Sequence, residues 1–194
     1  MNSNTFAVTE EVIRDQAVSC VPIATKREWV SNVVVQCFDP INIAGVTGVD
    51  EMPPMYKENT FQRYKYLAGA VVKLYLGEDF APASEDDPWM MTDETFDSFC
   101  SSKPLAQIER IRRTSKENAV KDKCFNLLQD YKDLRDMLLN EIHGLMRAMN
   151  DTLSRFQMLI AAQTTPEYVE KLTNELNAVQ SELAEYATER NNSK

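Results

Sequence analysis

Glycine is scarce in this chain, with 5 among 194 residues against an ordinary share of ~7%. That scarcity speaks against glycine-rich phosphate loops, glycine-dense β-sandwiches and flexible linkers. Neither GxxxxGK(S/T) nor GxGxxG occurs, so no nucleotide-cradling loop is indicated. Histidine occurs once, at His143, and a histidine-based zinc site therefore lacks ligands. Cys20, Cys37, Cys100 and Cys124 are scattered and include no CxxC pair. They read as reduced, mostly buried thiols rather than as a disulfide framework or an all-cysteine metal site. No apolar run approaches the ~18–20 residues of a membrane helix. The polar start, Met1–Phe6, does not read as a signal peptide. The expectation is a chain without membrane association, cofactor or metal.

What the sequence does have is unevenly spread charge. The net charge is −9. Residues 1–102 hold 7 basic and 16 acidic side chains, whereas residues 103–194 hold 14 of each, so the whole excess lies in the first half. The texture changes near Ser101-Ser102-Lys103-Pro104. This divides the chain into two regions with different surfaces.

Helical periodicity dominates the pattern. Thr25-Lys-Arg-Glu28 reads as a capping box, and Trp29, Val30, Val33, Val34, Cys37 and Phe38 form a 3.6-period stripe ended by Asp39-Pro40. Residues 41–56 read as a loop, with a two-strand excursion near Ile41–Ile43 and Val46–Val49 as an alternative. A second helix carries Phe61, Tyr64, Leu67, Val71 and Leu74, with Gly77 at the C′ position. Its Ala68-Gly69-Ala70 patch would admit another element at close range. Thr92-Asp-Glu opens a short helix with Phe96 and Phe99. Ser102 is expected to cap the next, with Pro104 in its first turn.

From about Ser115 to about Gln163 the chain reads as one helix, ~73 Å long at ~1.5 Å per residue. A heptad seam (Val120, Cys124, Leu127, Tyr131) passes into a 4-4-3 spacing through Leu134, Leu138, Ile142, Leu145, Met149, Leu153, Phe156 and Ile160. Thr164-Thr165-Pro166-Glu167 is a stop-and-restart signal. The last helix would present Val169, Leu172, Leu176, Val179, Leu183 and Tyr186 in strict 3-4 spacing. The expected fold class is all-α. An acidic helical lobe would occupy residues 1–112, a long antiparallel, coiled-coil-like hairpin residues 113–190, and a frayed tail residues 191–194. The two seams are the candidate hairpin interface.

Candidate chemistry is sparse. His143 and Cys124 are 19 residues apart on one helix, too far for a nucleophilic pair. Glu85-Asp86-Asp87 and Asp93-Glu94-Asp97 lack the spacing of a calcium loop and read as solvated acidic surface. The basic cluster from Arg110 to Lys123 is interrupted by Glu117 and Asp122 and set against an acidic half, which argues against nucleic acid as a partner. Trp89, Met90 and Met91 are either a core plug or a partner contact. Met137, Met146, Met149 and Met158 make the long helix apolar on more than one stripe, so something must cover it: the N-terminal lobe, a second copy or another protein.

Residues Lys26-Arg-Glu-Trp-Val30, then Tyr56-Lys57, Tyr64-Lys-Tyr-Leu67 and Leu74-Tyr-Leu-Gly77, resemble small helical proteins encoded among the virion and tail genes of tailed bacteriophages. The likeness covers residues 25–79. It implies a non-enzymatic structural or assembly role, a homo-oligomer or other virion proteins as partners, and a place in the host cytoplasm during assembly or in the virion. The alternative is an acidic inhibitor or adaptor that binds a host nucleic-acid-processing protein.

Overall fold

The structure, a computed structural model, describes residues 6–41 and 55–163, and beyond them residues 166, 167, 170 and 174. Helix α1, Glu10–Asp15, starts where the Thr9 side chain accepts from the Val12 N–H, and Glu10 and Glu11 sit at its positive end. Helix α2, Ile23–Val33, follows Pro22. Its start lies two residues before Thr25, so the anticipated capping box falls inside the first turn. Proline fixes the φ needed at the entry, and no side-chain cap is used. Lys26, Trp29, Val30 and Val33 form its buried face.

The expectation of an all-α fold is corrected by two small antiparallel sheets in an otherwise mostly helical chain. After a 3-10 turn at Val35–Cys37, strand β1, Phe38–Ile41, pairs with β2, Met55–Glu58, in the register Phe38↔Glu58 to Ile41↔Met55. Strands β3, Pro82–Ser84, and β4, Asp87–Met91, form a hairpin around Glu85-Asp86. These strands carry Pro40, Pro82 and Pro88. Two-stranded ribbons have only edges, so an N–H lost to proline need not break a ladder bond. Strands this short and proline-bearing carry no period-2 signal.

Helix α3, Thr60–Ala70, is capped by Asn59, whose side chain accepts from the Gln62 N–H. It runs on as a π-turn over Val71–Leu76 and stops at Gly77, whose φ of 68° is left-handed. Residues 65–72 are buried on all sides, as befits a central helix. Strand β4 crosses it at Gly69, where a Cβ would collide with the Trp89 carbonyl oxygen. Phe6, Ala68, Val72, Phe80 and Met91 pack as one cluster, with Phe96 and Phe99 against it.

Helix α4, Asp93–Ser102, is capped by Thr92. Lys103, at φ 51°, ends it and also begins α5, Pro104–Thr114, with proline in the first turn. The break is therefore set one residue after Ser102. Helix α6 is continuous over Asn118–Gln163. Val120, Cys124, Leu127, Leu134, Leu138 and Ile142 belong to the core. Between Leu127 and Leu134 the buried position falls to Asp130, while Tyr131 is half-buried.

The chain divides into two compact units, one ending at Leu145 and the other beginning at Met146. The expected second arm of the hairpin, with Val169, Leu172, Leu176, Val179, Leu183 and Tyr186, lies outside the described residues, as does the tail at 191–194.

Candidate functional site

Three elements of the first unit enclose a cleft of about 700 Å3. Helix α2 and the turn after it contribute Asn32, Val33 and Gln36; helix α3 contributes Gln62 and Tyr66. The β3–β4 hairpin supplies the remaining wall, from Ala83 to Met90. Tyr66 donates its hydroxyl proton to Asp87 Oδ2, and the Trp89 N–H donates to Asp87 Oδ1 at 3.2 Å. Both oxygens of that carboxylate are thus held. Burial first, and then the neighbouring carboxylate, push the Tyr66 phenol above its usual range. No lysine or arginine is among the described residues lining the cleft.

The three residues Trp89, Met90 and Met91 close strand β4 and fall in different surroundings. Met91 is fully buried in the core cluster, while Trp89 and Met90 are half-buried and line the cleft. The Trp89 indole meets Trp29 edge to face, with centroids 6.5 Å apart. Lys73 lies over the rings of Phe80 and Trp89 and donates to the Pro88 carbonyl at 2.7 Å. The buried Trp29 Nε1 has no acceptor among the described residues.

A second polar constellation was not anticipated from the sequence. Asp130 Oδ1 accepts from Lys26 Nζ at 2.5 Å and from the Cys20 thiol at 3.3 Å. Its Oδ2 accepts from the Val21 N–H at 3.0 Å and the Tyr75 hydroxyl at 2.9 Å. Burial alone would raise the Asp130 carboxyl, but the bonds from Lys26, Val21, Tyr75 and Cys20 outweigh it and hold the group below the ordinary carboxylate range. The same carboxylate raises the Cys20 thiol, and burial followed by Asp130 raises the Tyr75 phenol. With four donors fixed on it, Asp130 is a tertiary clamp between α2, the π-turn and α6, and it lines neither of the clefts described here. The sequence held one cue: a lysine inside an apolar helical face needs an acid.

The seam of α6 changes character along its length. Leu134, Leu138 and Ile142 are fully buried, whereas Leu145 is 37% exposed. Met149 and Leu153 are half-buried and Met158 is 71% exposed. The side chains of Phe156 and Ile160 lie outside the described residues. A smaller groove of about 520 Å3 separates Arg27 and Val30 on α2 and Val34 just after it from Met137, Asn140 and Glu141 on α6.

No protein-family model, no curated protein and no solved structure matches this chain.

The chain's own geometry must therefore carry the functional reading. Among the described residues, no group of three His, Cys, Asp or Glu side chains is placed to hold a metal ion. No helix among them is long and apolar enough to cross a membrane. In the basic cluster, Arg112 and Arg113 both turn to Glu109 at 2.7 Å. Those two bonds draw the Glu109 carboxyl down to about 2. His143 is an exposed helix residue.

Proposed function

We propose that this chain is a non-enzymatic structural or assembly protein that works through protein–protein contacts. The observation that carries this reading is the α6 seam. One continuous 4-4-3 pattern is fully buried as far as Ile142 and opens to solvent at Leu145. Apolar side chains repeated along one helical seam gain most when a second surface removes them from water, at ~25 cal/mol per Å2. The resemblance over residues 25–79 points the same way, toward a virion or assembly component of a tailed phage that meets its partners in the host cytoplasm during assembly or in the virion.

The test is the mass of the full-length chain in solution, measured over a range of protein concentration and salt. Association through the seam predicts an oligomer that high salt does not dissolve, and a smaller species when Leu145→Asp and Met149→Asp are combined. A chain that stays monomeric at every concentration, and that does not co-sediment with particles, would end this reading.

The uneven charge favours a second reading, an acidic inhibitor or adaptor of a host nucleic-acid-processing protein. A salt-sensitive complex with such a protein, formed by the chain as a monomer, would support it.

A further inference from the structure

The cleft between α2, α3 and the β3–β4 hairpin has a chemistry of its own. We propose that it is the docking site for an extended segment of a partner protein that carries lysine or arginine. The α6 seam shares no residue with this cleft, so the proposal stands or falls apart from the assembly reading.

The sign of the charge is the first reason. Asp86 and Asp87 line the cleft, and no cationic side chain stands beside them among the described lining residues. The first half of the chain has few cations to spare. Arg14 is paired with Glu117, Lys26 with Asp130, Arg63 with Glu58 and Lys65 with Asp93. Lys73 is drawn to the Pro88 carbonyl and the two rings. Two carboxylates at the lining against the one Lys73 ammonium on its wall leave a net negative charge at the cleft, which disfavours phosphate and favours an ammonium or guanidinium group.

The second reason is the arrangement of the two carboxylates. Tyr66 and the Trp89 N–H fix Asp87 from both oxygens. Asp86, one residue away at the hairpin turn, is exposed and has no partner among the described residues. One acid is thus a fixed charge and its neighbour is open to bond.

The amides supply the third. The side chains of Asn32, Gln36 and Gln62 line the cleft, and none has a hydrogen-bond partner among the described residues. Each offers a carbonyl acceptor and an NH2 donor, the pair that a peptide backbone requires along an extended stretch. The cleft also lies within the ~300–1,000 Å3 range of specific ligand sites.

Both tryptophans of the chain are at hand to report occupancy, since Trp89 lines the cleft and Trp29 packs on it. The experiment titrates the full-length protein, at low salt, with a capped hexapeptide of alternating lysine and serine. The same peptide with glutamate for lysine, an all-serine peptide and a set of methyl glycosides serve as comparisons. The expected result is a saturable fluorescence change with the lysine peptide alone, lost as salt rises. Asp86→Asn and Gln36→Ala, both at exposed positions, should each weaken it by about twofold to fivefold. Asp97→Asn, an exposed acid of α4 that does not line the cleft, should leave it unchanged. Equal weakening by Asp86→Asn and Asp97→Asn would reduce the effect to a diffuse field and overturn the proposal. Equal binding of the all-serine peptide or of a glycoside, or no saturable change at all, would overturn it as well.

Discussion

Lys26 Nζ on α2 lies 2.5 Å from Asp130 Oδ1 on α6, with the two side chains 7% and 9% exposed. The ion pair joins residues 104 positions apart, and the same carboxylate gathers the Val21 N–H and the Tyr75 hydroxyl. Desolvation of two charges roughly cancels their attraction, so the intact pair adds little net stability. Its importance lies in the penalty for losing only one of its members.

Lys26→Met alone, or Asp130→Leu alone, should destabilise the first unit by ~3–5 kcal/mol, because each leaves a buried charge without a counterpart. The double variant should recover the part due to the unpaired charge, but not the cost of leaving the Val21 N–H and the Tyr75 hydroxyl unbonded. Urea unfolding of the three proteins measures both effects. Additive losses in the double variant would show that the two side chains are not coupled.

Acid should find the same clamp. Asp130 is held below the ordinary carboxylate value in the folded state, so the unfolded chain takes up the proton first as pH falls. The contribution is complete above the unfolded value of ~3.9 and is lost as pH drops through the folded value. Thermal melts from neutral pH downward should show a smaller acid-induced fall for Asp130→Asn than for the wild type below about pH 4.

Two glycines should respond with opposite sign to the same substitution. Gly69→Ala places a methyl group against the Trp89 carbonyl oxygen. The backbone of β4 must shift, at a cost of about 1–3 kcal/mol that exceeds the ~1 kcal/mol gain in helix propensity. Gly144→Ala meets nothing within 4 Å and should raise stability by up to ~1 kcal/mol. Paired melting curves decide the matter, and a stabilised Gly69→Ala would contradict the close crossing.

The thiols should separate by environment. Cys37 is fully buried and its thiol is pushed up to about 12 by that burial, so it should be the last to react with a maleimide near neutral pH. Cys20 is exposed, but its proton is held by Asp130, which raises it. Asp130→Asn should therefore speed labelling at Cys20 without speeding Cys100, as peptide mapping after short exposure would show.

Legibility in the sequence depends on range. Gly77 as the stop of α3, Thr92 as the cap of α4 and the break before Pro104 are local, and each follows from the φ or donor that one residue supplies. The tolerance of Ala68-Gly69-Ala70 for a close neighbour was legible too, although not which neighbour. The strands were not. Pro40 read as the end of a helix, yet it lies in β1 as Pro82 and Pro88 lie in β3 and β4, because two-stranded edges tolerate proline. The candidate cleft was equally hidden. Asn32, Gln36, Gln62 and Asp86 are unremarked polar residues until α2, α3 and the hairpin bring them to one wall. Of the Trp89-Met90-Met91 triplet, the sequence left open whether it was core or contact. Only the packed fold shows Met91 inside the core cluster and Trp89 and Met90 on the cleft.

The caps and breaks of the short helices and the apolar period of α6 are thus written in the chain, because they depend on the steric and hydrogen-bonding preferences of residues within a turn or two of one another. Three features needed the assembled fold: Asp130 taking the buried place beside Tyr131, the seam opening at Leu145, and an acidic cleft beside Trp89. Each depends on which distant surface is present to exclude water, and no short-range pattern records that.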